Sequence, residues 1–515
     1  MAPVPPEHHA PPPSDSPLLA RDQRPVSVVH LVAELAPYAR TGGLGEAVSS
    51  LATFQAQRGL PTAVVMPLYR QARQRAPHLV PASPPYEVQV GWRREIARLW
   101  TLPEEGPPAG MQERRRRPRF RLYFVENEYY FDRGAIYGEG GDYADNARRY
   151  AFFCAAALAA LPRIAAGPLV LHAHDWHTAL APVLLRTWYA SHPYFRRVST
   201  VLSVHNAGFQ GHYPPETVDD LGLPRAIYNH HQLEWYGRVN LLKGGMSFAD
   251  AVVTVSPNHA EELRTPAGGF GLHDHFRSLG DRFTGIVNGI DQVIWNAAAD
   301  QRIAARYTAD DPAGKLKCRR ALQRAYGLPE REGVPIFVMS ARLVWQKGLD
   351  LILAETGFFD LDAQFIFLGA GEQRYVDALR AWMARAPDRV RVDTDFADFK
   401  EHALIAGGDV LLMPCQYEPC GLTQMRAQRY GTLPLVRFVG GLADTVENGV
   451  TGFVFRAYDP GAFVACAIRA LRTYQDRAAW TEMVRTAMAR DFDWERSEER
   501  YLAVYGRVMQ EAATG

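Results

Sequence analysis

The chain has 515 residues, which at roughly 150 residues per domain means two large lobes or about three small ones. Lysine plus arginine number 57 against 56 for aspartate plus glutamate, so the positive field of a nucleic-acid or acidic-membrane binder is missing, while 47% hydrophobic and 22% charged residues are the composition of a folded globular chain. The longest apolar run, Ala151 to Leu161, is half the roughly 20 residues a membrane span needs and reads as a buried helix. The proline-rich start has neither the basic end nor the apolar stretch of a secretory signal, and Cys154, Cys318, Cys415, Cys420 and Cys466 include no CxxC pair. A cytoplasmic chain with free thiols, and neither nucleic acid nor membrane as partner, is the expectation.

Residues 1–24 are too polar and proline-rich to form a core and are expected to be a flexible extension. Val26 to Leu35 is a β-branched run closed by Pro37 and a glycine turn; the following LGEAVSSLATFQAQRG has helical spacing of apolar residues and stops at Gly59. Thr62 to Leu68 is the next strand, and the strand–helix–strand order recurs with PLVLHAH before a helix from Thr178, Ser199 to Asn206, and Ala251 to Ser256. That order predicts a parallel sheet for the first half. Pro84 to Arg121, with PEEGPPAG and ERRRRPRFR, predicts a hairpin excursion with a loose, solvated tip. The second half restarts the alternation with Val334 to Arg342, Ala363 to Gly371, Arg389 to Phe396, Asp409 to Cys415 and Thr432 to Phe438, a second doubly wound sheet. The boundary is expected within Gly285 to Asn296, and a last helix from about Ser497 to Ala512 follows the final strand.

Ligands of open parallel sheets bind at the carboxyl ends of strands, so the residues just after each strand are the informative ones. ARTGGLGEA, Ala39 to Ala47, can present backbone N–H groups and a helix start to a phosphate, although it is neither a Walker loop nor GxGxxG. HAHDWHT brings His172, His174, Asp175 and His177 together; a metal is the tempting reading, but alternation puts His172 and His174 on one strand face about 7 Å apart and Asp175 on the other, with no HExxH pattern. His205 and Asn206 end the next strand. In the second half Arg342 follows a strand directly and Lys347 lies in the next loop, two cations without nearby carboxylates to neutralise them, which suits a diphosphate. Glu418 precedes Pro419 and a glycine-started helix whose Gly421, Leu422 and Thr423 offer amides. A carboxylate for sugar hydroxyls beside amides and cations for phosphate points to a sugar nucleotide.

RTGGLGEA, HAHDWHT, VHNAGFQG, FADAVVTVSPNHAEEL, VNGIDQVIWN, SARLVWQKGLDLIL, EPCGLTQMRAQRYGTLPLV and GGLADTV, in this order, resemble the bacterial glycogen synthases and plastid starch synthases, retaining glucosyltransferases of the GT-B type, over the chain from about Pro25. The resemblance implies an α/β protein of two doubly wound Rossmann-like domains facing a deep inter-domain cleft. Its domains would be 25–287 on the acceptor side and 288–490 on the donor side, with 491–515 a C-terminal helix packing back on the first. It implies glucose transfer from ADP-glucose, a substrate, to an α-1,4-glucan, with no cofactor and no metal. His205, Asp175, Glu418, Arg342 and Lys347 acquire catalytic roles by it. Arg40, Gly42, Gly43, Asn288, Cys420, Gly421, Leu422 and Thr423 join Arg342, Lys347 and Glu418 around the donor, and Tyr137, Asp142, Asn146 and Asn206 line the acceptor side. The family's usual lysine before TGGLG is Arg40 here, its aspartate is Glu46, and a position usually aromatic is Arg426, so a related transferase with another nucleotide donor or acceptor, or a non-catalytic glucan-binding relative, stays open. Oligomeric state is not legible.

Overall fold

A computed structural model describes residues 26–103, 120–354 and 357–511. The expected extension over 1–24 and the arginine-rich segment at 113–119 lie outside the described residues. By its contacts the chain divides into two compact units, 1–203 with 209–252 and 498–515, and 204–208 with 253–497.

The first unit is built on β1 (Ser27–Leu31), β2 (Thr62–Pro67), β3 (Val80–Pro81), β4 (Tyr86–Val90), β5 (Arg93–Thr101), β6 (Arg121–Glu126), β7 (Leu169–His174) and β8 (Val198–Val204), in the order β8-β7-β1-β2-β6-β5-β3, with β4 paired to β5. The five strands β8, β7, β1, β2 and β6 are parallel; β5 runs antiparallel to β6, β4 and β3. Within the expected excursion β4 and β5 form a hairpin that turns at 91–92, and β5 also pairs with β6 of the main sheet; the expected loose tip, 104–119, lies outside the described residues. β1, β2, β7 and β8 are near-continuous apolar runs because both faces are covered. The alanine-rich segment is part of a helix, Asn146–Ile164, buried on nearly every side. A three-stranded antiparallel sheet of β9 (His212–Tyr213), β10 (Glu234–Trp235) and β11 (Arg238–Asn240) has no counterpart in the sequence reading, since two- and three-residue strands carry no measurable alternation.

The final helix, Glu495–Glu511, joins the first unit from Glu498 onward. Tyr501, Val504, Tyr505 and Val508 recur at three- and four-residue spacing and are all buried, at about 1.5–3 kcal/mol for each large apolar side chain removed from water.

Two short strands follow in the chain, β12 (Ala251–Thr254), within which the second unit begins at Val253, and β13 (Phe283–Gly285). That unit contains β14 (Ile336–Ser340), β15 (Gln364–Leu368), β16 (Val390–Asp393), β17 (Val410–Met413), β18 (Leu433–Arg437) and β19 (Phe453–Phe455), all parallel, ordered β16-β15-β14-β17-β18-β19. Counted from β14 this is 3-2-1-4-5-6, the dinucleotide-fold order. β19, three residues long, went unread in the sequence. The second unit also starts earlier than the expected 288, because Ser256 and the Asn258 amide bond the Asp444 carboxylate and Gly440 donates to Glu262. Those bonds tie the helix Pro257–Leu263 to the helix Gly440–Thr445.

Candidate functional site

Each unit has one place where the strand order reverses, leaving a crevice at the carboxyl ends of two neighbouring strands. In the first unit it lies between β1 and β7, in the second between β14 and β17.

β1 ends at Leu31, short of the Leu35 that the apolar run suggested, so Glu34 belongs to the turn after the strand. Its carboxylate is 4% exposed and accepts four bonds. They come from the Thr41 amide (2.6 Å), the Thr41 hydroxyl (2.7 Å), the Gly42 amide (3.2 Å) and the Tyr137 hydroxyl (2.5 Å). Two amides of the expected phosphate-facing turn, Gly42 among them, are thus engaged by a side chain of the same unit. Gly43 caps the helix Leu44–Gln57. Arg40 sits 3.8 Å from Glu46 with about a third of its side chain exposed, a surface pair.

Asp175, the residue after β7, has φ 58° while its amide bonds the Ser203 carbonyl. Left-handed non-glycine residues are uncommon and cluster at functional sites, which makes Asp175 a candidate. Trp176 and His177 follow, and His177 lies between the Tyr137 ring at 4.6 Å and the Tyr150 ring at 4.8 Å. Burial, with the Arg149 charge adding to it, lowers the His177 pKa to about 3, so the ring is neutral. Asn146 is buried and bonds the Tyr137 carbonyl and Arg149, which makes it part of the frame of the 137–146 loop, whereas Asp142 is exposed on it.

The other histidines of the HAHDWHT segment are accounted for differently. His172, His174 and His30 are fully buried with ring nitrogens within 4.8 Å of one another, a set that could hold a metal by spacing. Their ring nitrogens are also hydrogen-bonded within the fold. The Gln55 carbonyl can only accept, so His30 Nε2 donates to it (2.8 Å), and the remaining Nδ1 of neutral His30 accepts from His174 Nε2 (3.0 Å). The Gln55 amide donates to the Tyr505 hydroxyl (3.2 Å), the same hydroxyl bonds His172 Nδ1 (2.8 Å), and His172 Nε2 bonds the Ser203 hydroxyl (2.7 Å). Both ring nitrogens of His30 and of His172, and Nε2 of His174, are engaged in these hydrogen bonds, which fasten the final helix to β1 and β7.

In the second unit Arg342 leaves β14 and Lys347 ends the turn Trp345–Lys347. Gly348 follows with φ 75°; a Cβ there would stand 2.0 Å from the Pro414 carbonyl, so only glycine lets this turn lie against the exit of β17. The Gln416 amide bonds the Gln346 carbonyl (2.9 Å) and Gln346 Nε2 the Tyr417 carbonyl (3.1 Å), lacing the two loops together. Lys347 Nζ is consequently 2.5 Å from Glu418 Oε2, with both side chains mostly buried. This corrects the expectation of cations without a carboxylate: the two groups are far apart in sequence and adjacent in the fold. Burial disfavours the Lys347 charge, but Glu418 beside it holds the pKa above the ordinary lysine value. Arg342 is exposed and makes no ion pair with a described residue. The buried Cys415 thiol also donates to Glu418 (3.6 Å), and burial pushes its pKa up.

Gly421 (φ 71°) precedes Leu422 and the helix Thr423–Arg429, and Cys420 packs beside Asn288, whose buried Oδ1 has no hydrogen-bond partner among the described residues. By its contacts the 204–208 segment belongs to this unit. Asn206 accepts from the Gly208 amide (2.9 Å) and bonds the Tyr417 hydroxyl, while Phe270, held at φ 51°, meets Tyr417 edge-on at 5.1 Å. Loss of surrounding water lowers the His205 pKa to about 3. Arg426 is buried, lying 4.3 Å over Trp295 and 3.6 Å from Glu401. Sequence reasoning missed Glu34, Tyr417 and Phe270. The strand-end rule would have found Glu34 had β1 been ended at Leu31.

The comparisons agree with this geometry. Residues 27–278 match the family described as starch synthase catalytic domain, and residues 325–486 match glycosyl transferases group 1. A glycogen synthase of Anaeromyxobacter sp. is 40% identical over 93% of this chain and 99% of its own, and that of Syntrophotalea carbinolica 37% over 94% and 99%. The solved catalytic domain of starch synthase IV from Arabidopsis thaliana, bound to ADP and acarbose, superposes with a TM-score of 0.85 at 30% identity, covering 95% of this chain and all of that one. Sucrose-phosphate synthase from Thermosynechococcus elongatus, with a TM-score of 0.58 at 15% identity, shares the fold alone. With two Rossmann-like units, both family matches in chain order and relatives aligned over nearly their whole length, the chain belongs to the glycogen synthase and starch synthase family of GT-B glycosyltransferases.

Proposed function

We propose that the protein transfers glucose from ADP-glucose to the non-reducing 4-OH of an α-1,4-glucan with retention of configuration, in the cytoplasm and without a metal cofactor. The observation that carries this reading is the group Arg342, Lys347 and Glu418 at the β14/β17 crevice, in a chain whose solved relative binds ADP and acarbose. In the transfer the bond from the sugar C1 to the β-phosphate oxygen breaks and ADP leaves with the electron pair. The acceptor 4-oxygen bonds C1, and its proton passes to the departing phosphate.

Negative charge grows on the diphosphate as that bond breaks, so cations fixed beside it lower the barrier more than they bind the ground state. Lys347 and Arg342 fill this role, and the Lys347–Glu418 pair keeps the ammonium charged in a buried place. Glu418 is then positioned to accept from glucosyl hydroxyls, with the Gly421 to Thr423 amides near it. His205, neutral because of its low pKa, serves as a hydrogen-bonding group beside the sugar and carries no charge of its own. In the first unit Asp175 and Tyr137 are assigned to the glucan acceptor. Arg426 lies buried against Trp295 and Glu401 within its unit, and ADP-glucose is the donor this reading favours.

The test is incorporation of radiolabelled glucose into glycogen from ADP-glucose and from UDP-glucose in parallel. Preference for ADP-glucose is expected; equal or better use of UDP-glucose contradicts the donor assignment. The same assay in excess EDTA should run at the full rate, and a loss restored by Mg²⁺ or Mn²⁺ would show that the two cations are insufficient.

A further inference from the structure

Four donors converge on Glu34, and two of them are backbone amides of the glycine turn that precedes the helix Leu44–Gln57. A carboxylate at 4% exposure inside a turn, accepting from two of the turn's amides, dictates which way the turn faces. The turn is pinned from behind as well. Leu35 and Ala39 exchange backbone bonds of 2.8 and 2.9 Å, the Ala36 amide bonds the Gly45 carbonyl (3.0 Å), and a Cβ on Gly45 would stand 3.1 Å from the Leu35 nitrogen. The fourth donor, the Tyr137 hydroxyl, brings in the 137–146 loop, whose own frame is Asn146 and the buried Arg149. One side chain thus joins the glycine turn, the start of a helix and the loop bearing Tyr137, and Tyr137 in turn stacks on His177, two residues after the strained Asp175.

We propose that Glu34 is a positioning residue for the transfer: its carboxylate fixes the Thr41–Gly43 turn and the Tyr137 side chain in one geometry, so that Arg40, the helix start and the Asp175 segment meet substrate already arranged. The inference rests on the glucan-synthase reading above. Glu34 itself offers substrate nothing, because both its oxygens are engaged by the turn and by Tyr137. A group misplaced by about 1 Å through loss of such support can cost on the order of 10²-fold in rate.

The experiment is steady-state kinetics of Glu34→Ala, Glu34→Gln and Tyr137→Phe, with nucleotide sugar and glucan each varied, well below the thermal midpoint of each variant. Glutamine can keep one carbonyl for the Thr41 and Gly42 amides while its NH₂ meets two hydroxyls able to accept, so it should rescue in part. The expected losses in kcat/KM are about 100-fold for alanine and about 10-fold for glutamine. The double variant Glu34→Gln/Tyr137→Phe should lose less than the product of the single losses, since both act through one contact. If the alanine variant does not fold, the glutamine variant and the double variant carry the test alone. A folded Glu34 variant with a lowered midpoint but wild-type kcat/KM, or single losses that simply multiply, overturns the proposal. Wild type assayed in parallel separates the two readings. An inactive wild type overturns the functional reading and the inference with it, whereas an active wild type beside an unaffected Glu34→Gln overturns the inference alone.

Discussion

The crevices at β1/β7 and β14/β17 come from the same topological device, and they are furnished in opposite ways. The first is filled by neutral or internally satisfied groups: the Glu34 carboxylate held by four donors, the stacked Tyr137 and His177, and the His30–His174–His172 chain behind them. The second carries charge, with an exposed Arg342 and the Lys347–Glu418 pair. A strand order selects where a ligand can sit; the residues placed after the strands decide what chemistry that place offers, and on the proposed function the first crevice takes the glucan and the second the leaving diphosphate.

The comparison breaks most readily at the charged crevice. Lys347→Ala should lower kcat by about 10²–10³-fold, the loss typical of one fixed donor at a developing negative charge. It should also destabilise, because Glu418 is left buried without its partner, a loss on the order of 3–5 kcal/mol for fully buried pairs and less here. Glu418→Gln, which preserves shape, should lose more than tenfold in turnover with a smaller shift in thermal midpoint. Circular dichroism with kinetics separates the two effects, and unchanged turnover in either variant would remove that residue from the chemistry.

Acid should distinguish the two units next. His30 is held at about pKa 4 by burial, against which its bond to Gln55 works, and His177 at about 3. A histidine with a lowered folded pKa favours the fold fully above its unfolded value of about 6.5 and loses that contribution as pH falls toward the folded value. For His30 this is about 3 kcal/mol between pH 6.5 and 4. Asp300 in the second unit behaves in the opposite way. Burial works against its charge, but bonds from His402, the Arg302 amide and Tyr430 prevail and lower its pKa to about 2, so its contribution is present above the usual carboxylate value and is lost only as pH falls from about 4 toward 2. His205, also low, adds an acid-sensitive share to the second unit. Amide exchange at pH 7.5 and 5 should show the final helix and β1 losing protection before the strands around Asp300. His30→Gln should weaken that pH dependence, and equal loss in both units would mean the histidine chain does not set it.

The smallest effect is expected at Arg40. Its pair with Glu46, about a third exposed, is worth under about 1 kcal/mol, so Arg40→Lys and Arg40→Ala should leave the urea midpoint nearly unchanged. The lysine variant should keep most activity and the alanine variant should raise KM for the nucleotide sugar; identical kinetics for both would confine Arg40 to its surface pair.

Much of the site is readable from the chain alone because it follows from local rules. Strand ends near Asp175, Arg342 and Cys415 can be found from β-branched runs, glycines at 348 and 421 mark turns, and the order of the motifs carries the family. Glu34 was hidden by an apolar run, VVHLVAE, that continues past the last paired residue Leu31; hydrophobicity does not say where a strand leaves its neighbours. Phe270 and Tyr417 left no periodic signal, since their pairing is a meeting of two loops.

What the sequence by itself determined is the alternation of strands and helices, the two sheets, and the chemical types placed after their strands, all set by side-chain periodicity and turn chemistry within a few residues. Only the tertiary structure decided that Lys347 meets Glu418, that Arg426 is spent on Trp295, that His30 joins His172 and His174 in a chain closed by Tyr505, and that 204–208 belongs with the second unit. Each of these joins residues remote in sequence, and such contacts form because burial forces polar groups to find partners wherever the packed chain supplies them.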